Sequence, residues 1–252
     1  MSKTPVRLRP ATERAIGTTA FFRNRILFDT LLEQLAADGQ AQYSILFHAC
    51  SIGAEVYSLA IHYLLSGHAQ RYALRIQATD LEGGFVEFAR AGAYPATILD
   101  GMTEREAAYF SVDDFAHVRP EVKALVEFIA PCDFGSFQSK ESVDVVSLLN
   151  CLVYVPQSAQ AAALDRIASY NRRYLLVTAF HRDSIKADLQ RNAYAPVLTH
   201  QREIHESWLD RRVDTPFVPR PGSGIYADWT LPAFAPIVDH EYLYCSLFRK
   251  TA

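Results

Sequence analysis

The chain lacks any apolar run near the roughly 20 residues that a membrane-crossing helix needs, although half of its 252 residues are hydrophobic. Its opening residues, MSKTPVRLRP, have no apolar core of the kind a secretory signal carries, so a soluble, cytoplasmic protein is expected. Excess charge of one sign is also missing, because 25 Lys and Arg against 28 Asp and Glu leave a formal net charge of −3. Such a balance supplies no general attraction to phosphate backbones or anionic membranes, which makes nucleic acid and membrane poor candidate partners. Cysteine is sparse: Cys50, Cys132, Cys151 and Cys245 lie far apart with no C-x-x-C pair. That spacing argues against a zinc framework, and no metal is expected; buried reduced thiols are the simpler reading.

What is present is an alternation of short apolar runs and helical periods. YSILFHA (Tyr43 to Ala49), ALRIQATD (Ala73 to Asp80), LVEFIAP (Leu125 to Pro131), SVDVVSLLN (Ser142 to Asn150) and RYLLVTAF (Arg173 to Phe180) read as strands. Between them, Phe21 to Leu35, Ala54 to Leu65, the LEGGFVEFARAG stretch, Ala159 to Tyr170 and Ser184 to Asn192 read as helices. Strand and helix in turn predict an α/β fold with a mostly parallel sheet and helices on both faces. The last quarter differs. Pro216, Pro219, Pro221, Pro232 and Pro236 suit a loop or lid, and HEYLYCSLFRK alternates as a final, antiparallel strand would. One domain over residues 1–252 is expected, with an N-terminal helical segment (1–40), a core (41–183) and a substrate or lid region (184–252).

In open α/β sheets ligands bind beyond the carboxyl ends of the strands. The loop after the first strand, CSIGAEVYSLAI, holds one glycine, Gly53, where a pyrophosphate cradle would use G-x-G-x-x-G, and Glu55 just inside the helix would repel phosphate and suit an ammonium. Asp80 closes the second strand, where such folds place a carboxylate to accept from ribose hydroxyls. The pattern favours adenosine without phosphates over a dinucleotide. Taken alone, a strand-final Asp is more often a turn residue or helix cap, and an isolated His near a loop is more often structural.

Five segments in order resemble the CheR-type chemotaxis receptor methyltransferases. TAFFR (Thr19 to Arg23) is similar to that family's T-x-F-F-R, CSIGAEVYSLAI to its C-S-x-G-E-E-P-Y-S-x-A loop, and ATD with ARAGAY (Ala78 to Asp80, Ala89 to Tyr94) to its A-T-D and A-R-x-G-x-Y pair. NCLVYV (Asn150 to Val155) resembles R-N-V-x-I-Y-F, and FHRD (Phe180 to Asp183) echoes G-H-S-E. The resemblance implies a Rossmann-like class I methyltransferase fold and S-adenosylmethionine as cofactor. It implies that Thr19 and Arg23 lie at the methionine end and methyl group. The loop with Cys50 and Gly53 would wrap the amino-acid end, Glu55 would bind its amino group, and Asp80 would take the ribose hydroxyls. Asn150 and the backbone of Cys151 would lie near the transferred methyl, Asp133 would accept from the adenine amine, and Tyr154 would stand at the reaction centre.

Three positions depart from the family pattern: Gly17 for Asn, Ala54 for the first Glu, and Val56 for Pro. Little precedes TAFFR, and the tail after Asp183 does not match the receptor enzymes. The expected function is therefore O-methylation of a small-molecule or glycan hydroxyl, with His181 as general base and Asp183, His200 and His205 as neighbours in sequence. Protein-glutamate carboxyl methylation is the alternative, with Arg23 and Tyr154 orienting the carboxylate. A catalytically silent cofactor-binding or scaffold module is the third. Trp208 and Trp229, flanking the Pro-rich stretch, are candidates for sugar stacking or for packing.

Overall fold

The structure, a computed structural model, describes residues 6–8, 17–152, 155, 157–178, 185–209 and 241–251. The chain forms two compact units, residues 1–132 and 133–252. In the first, a short antiparallel pair, β1 (Val6–Leu8) and β2 (Gly17–Thr19), leads into α1 (Arg25–Asp38). Leu27, Phe28, Leu31, Leu32 and Leu35 recur at helical spacing and bury one face of α1, and Gly39 at φ 69° ends the helix with a left-handed residue. The helix begins four residues later than the apolar period suggested, because Phe21 to Asn24 form a turn instead.

Three parallel strands follow, β3 (Gln42–Phe47), β4 (Ala73–Ala78) and β8 (Val126–Phe128), in the order β3-β4-β8. Gln42 pairs with Ala73 and Phe47 with Ala78, so β3 and β4 end level. Two further backbone bonds carry the ladder past both ends, Thr79 N–H to the Phe47 carbonyl and Cys50 N–H to the Thr79 carbonyl, each 3.0 Å. The loops after these strands therefore leave from one edge. On β4, Leu74, Ile76 and Ala78 are buried while Arg75 faces solvent, where it pairs with Glu127 of β8. Between β3 and β4, α2 (Ala54–Leu65) is buried at every position from Ala54 to Tyr63, as expected of a helix apolar on most sides.

A second layer of structure was hidden in the sequence. Between α3 (Gly83–Ala91) and β8, the chain folds a small antiparallel sheet of β5 (Ala93–Pro95), β6 (Phe110–Val112) and β7 (Phe115–Val118), in the order β5-β7-β6. It is trimmed by α4 (Glu104–Ala107), whose Thr103 and Glu106 form a capping box, and by α5 (Pro120–Lys123). Tyr94 of β5 is fully buried, and its hydroxyl donates to the Ile52 carbonyl at 2.6 Å.

The second unit is built on β9 (Val143–Leu149) and β10 (Asn171–Thr178), parallel and linked by α6 (Gln157–Tyr170). All seven residues of β9 are buried, Asp144 and Ser147 among them, which fits a strand covered on both faces. After α7 (Lys186–Arg191), β11 (Tyr194–Pro196), α8 (Gln201–Leu209) and α9 (Glu241–Tyr244), the final strand β12 (Leu247–Lys250) runs antiparallel to both β10 and β11. The expected antiparallel C-terminal strand is present but shorter than its sequence signal, since Glu241 to Tyr244 coil into one helical turn. The Pro-rich stretch lies outside the described residues. No helix among the described residues is long and apolar enough to cross a membrane.

Candidate functional site

Left-handed backbone is concentrated in the segments that the sequence singled out. Ala49 (φ 52°), Ser51 (φ 50°) and Gly53 (φ 80°) alternate along the loop after β3, and Phe22 (φ 55°) lies within TAFFR. Each non-glycine residue held there costs on the order of 1 kcal/mol, so the surrounding contacts must over-determine the conformation. Gly53 is required on two counts: its φ, and a Cβ placed on it would lie 2.9 Å from Ala89 Cβ and 3.3 Å from the Phe128 ring. Its smallness thus serves the packing of the loop against α3 and β8.

Glu55, buried in the first turn of α2, gathers the TAFFR segment. Arg23 grips it with Nε on Oε1 at 3.0 Å and Nη2 on Oε2 at 2.7 Å; Asn24 Nδ2 donates to Oε1 at 2.6 Å and Thr19 Oγ1 to Oε2 at 3.3 Å. A carboxylate offers about four lone-pair directions, and here four donors of the chain occupy them. An ammonium group meeting Glu55, as the resemblance implies, would have to displace or share one of them. Asn24 is the N-cap residue of α1, yet its side chain makes no cap bond. It is turned to Glu55 instead, forgoing about 1 kcal/mol of helix stabilisation.

Asp80 is loaded differently. The residue is 8% exposed; Oδ2 accepts the Ser51 N–H at 2.7 Å and Oδ1 the Glu82 N–H at 3.0 Å. Each oxygen keeps acceptor capacity beyond its one backbone bond. Burial pushes the Asp80 carboxyl above its ordinary value, with the backbone N–H groups of Glu82, Ser51 and Leu81 pulling the other way. Beside it, Leu81 is 66% exposed, an apolar side chain standing in solvent at the strand end. Cys50 is buried, and burial, then the Asp80 charge, hold its thiol well above the usual range, so it is no nucleophile. Its N–H, bonded to Thr79, ties the two loops together.

A ligand with several hydroxyls and an amino-acid end fits these residues. Asp80 retains acceptor positions, and the oxygens Asn24 Oδ1 and Ser51 Oγ are buried without a hydrogen-bond partner. Among the described residues no cluster of three His, Cys, Asp or Glu side chains could hold a metal ion.

The second unit carries the other expected site residues. Asn150, directly after β9, is left-handed at φ 56°, and Cys151 is buried. Gln160 Nε2 donates to the carbonyls of Leu152 and Val155, at 3.1 and 3.0 Å, and so pins this loop to α6. Asp133 Oδ1 accepts the Gly135 N–H at 2.8 Å and closes a turn. His205 is buried edge-on to Tyr244, with ring centroids 4.7 Å apart, a packing role. Tyr154, His181, Asp183 and Trp229, and the Trp208 side chain, lie outside the described residues. The first unit therefore brings together Thr19, Arg23 and Glu55 on one side and Cys50 and Asp80 on the other. Asn24, Ser58 and Leu81 were not singled out from the sequence; the polar Ser58 inside an apolar helix was the available signal.

Parallel strands alternating with helices, with an acidic residue, Asp80, closing the strand β4, define a Rossmann-like α/β fold of the class I methyltransferase kind. A family model described as CheR methyltransferase, SAM binding domain, matches residues 17–194, and the chain belongs to that family. S-adenosylmethionine is the cofactor of such a domain. The chain is 30% identical over 164 residues to a chemotaxis protein methyltransferase of Listeria innocua, covering 63% of this chain and 62% of the relative. It is likewise 30% identical over 162 residues to chemotaxis protein methyltransferase 1 of Pseudomonas aeruginosa, covering 59% of each. The chain thus spans about three fifths of the length of the curated relatives it matches. The magnesium protoporphyrin IX methyltransferase of Synechocystis, solved with bound SAM, overlaps at a TM-score of 0.44 with 18% identity, covering 73% of this chain and 77% of that one; this is too loose a likeness to carry weight.

Proposed function

We propose that the protein is an S-adenosylmethionine-dependent O-methyltransferase whose acceptor oxygen belongs to a carboxylate, a protein glutamate being the natural instance. One observation carries the reading: within the span that matches the family, Thr19 and Arg23 converge on Glu55 while Asp80 keeps acceptor positions at the neighbouring strand end. Asp80 would hold the ribose hydroxyls, with Leu81 beside it for the base, and Thr19 and Arg23 would meet the methionine end. Bound there, the cofactor supplies an activated methyl group to an oxygen approaching in line.

The residues themselves support a carboxylate over a hydroxyl. A carboxylate is ionised at neutral pH and needs positioning alone, which a guanidinium fixed on Glu55 provides. A hydroxyl needs a base, and the histidines around this loop are poorly suited: burial lowers the His48 pKa to about 3, and the His62 ring is buried with its Nε2 closed off from solvent. The hydroxyl reading, on a small molecule or glycan, keeps His181 as its base and remains the second proposal. Asn150, Cys151 and Asp133 are proposed as further cofactor contacts and Tyr154 as a residue at the reaction centre. The cytoplasm is the proposed compartment.

The test is transfer of labelled methyl from S-adenosylmethionine to a peptide bearing glutamate and to a glycan or small alcohol, followed by mild base. A carboxyl ester releases methanol and an ether does not. Base-stable product on an alcohol would overturn the carboxylate reading, and absence of both binding and turnover would leave the silent scaffold.

A further inference from the structure

Ser58, one turn along α2 from Glu55, has no role in the reading above, and its surroundings give it one. We infer that Ser58 is a positioning residue for Arg23, acting through the left-handed backbone of Phe22; the inference rests on the proposed role of Arg23 at the cofactor's methionine end. Ser58 is fully buried in a helix that is otherwise largely apolar on this stretch. Its hydroxyl donates its single proton to the Ala54 carbonyl at 2.6 Å, which turns a lone pair away from α2. The Phe22 N–H donates into that lone pair at 2.8 Å.

A backbone N–H at φ 55° on a bulky residue has left any strand or helix ladder, and when buried it requires an acceptor. Ser58 is that acceptor. The turn it holds lies between Thr19 and Arg23 and lets both side chains reach the two oxygens of Glu55. The same face of α2 continues to His62, whose ring lies 5.6 Å from the Phe22 ring and whose Nδ1 bonds Asp29 of α1. Positions 55, 58 and 62 follow helical spacing and all face residues 19–29. Without Ser58, the Phe22 N–H is left unsatisfied and the turn relaxes toward an ordinary conformation, so the Arg23 fork loses its aim while the fold persists.

The test is calorimetric titration of the full chain with S-adenosylhomocysteine, using wild type, Ser58→Ala, Arg23→Gln and the double variant, each checked by melting. Ser58→Ala should weaken binding about fivefold, the scale of leaving one buried donor unpaired. Arg23→Gln should weaken it about tenfold, and the double variant should fall within about twofold of Arg23→Gln alone, because coupled residues are not additive. Ser58→Thr keeps the hydroxyl and its bond to the carbonyl four residues back, and should bind like wild type; it serves also where Ser58→Ala fails to fold. Additive losses, wild-type affinity in Ser58→Ala, or a loss in folded Ser58→Thr as large as in Ser58→Ala would each overturn the inference while the proposed function stands. A wild-type protein that does not bind would overturn the proposed function and the inference with it.

Discussion

Two buried carboxylates of the first unit, Glu55 in the first turn of α2 and Asp80 just after β4, are used in opposite ways. Glu55 receives four donors from the chain, three of them charged or amide groups of residues 23 and 24. Asp80 receives two backbone N–H groups and keeps capacity on each oxygen. A saturated carboxylate organises its own chain, and an unsaturated one is available to a ligand. The difference lies in what faces each acid, since both are short, buried and next to a tight turn.

Removing either acid should separate the two roles. Glu55→Ala removes the carboxylate on which Arg23, Asn24 and Thr19 converge, so a loss of about 3 kcal/mol in urea unfolding is expected, with weaker cofactor binding as a consequence. Asp80→Ala should reduce affinity for S-adenosylmethionine at least about tenfold, on the scale of a charge-assisted hydrogen bond, with a stability change of about 1 kcal/mol or less. Unchanged affinity in calorimetry would remove Asp80 from the site. If the two variants proved alike in stability and affinity, the division between organiser and ligand would fail.

The pH dependence sharpens the contrast. Burial holds the Asp80 carboxyl above its reference value of 3.8. Between 3.8 and that raised value the native state binds more protons than the unfolded chain, so Asp80's contribution to stability falls as pH rises through the window. Acceptance of ribose hydroxyls needs the ionised form and rises over the same window. Cofactor affinity and this part of stability should therefore move in opposite directions, and Asp80→Ala should abolish the opposition. The smallest effect is expected at Leu81, where Leu81→Ser should weaken cofactor binding about twofold to fivefold, the scale of about 25 cal/mol for each Å² of apolar surface covered by the ligand. A larger loss would make Leu81 more than a shelf.

Much of this was legible in the residues, and the rest was not for identifiable reasons. The helix Ala54–Leu65 and the core strands were readable because their buried faces repeat at helical or continuous-strand spacing. The small sheet of Ala93 to Val118 was not, since strands of three or four residues exposed on one side carry too little period to register. Glu55 was visible as an acid in a first turn, but its partners were not, because their approach depends on a left-handed Phe22 that no propensity favours. Asp80 was legible since its position at a strand end is itself the signal. Gly53 was legible as the glycine of a tight loop, but the close packing against Ala89 that its missing side chain allows was not.

The Tyr94 hydroxyl on the Ile52 carbonyl ties the small sheet to the loop that bears Gly53, and Phe21 of TAFFR packs edge-on to Tyr94 and Phe110 of the same sheet, at 5.0 and 5.4 Å. That sheet cannot be treated as an exchangeable cassette. A graft of the corresponding stretch from a relative would need to bring its own tyrosine and phenylalanine, or the recipient loop would lose its anchor, and recombination between family members should tolerate crossovers outside residues 19–118 far better than within them.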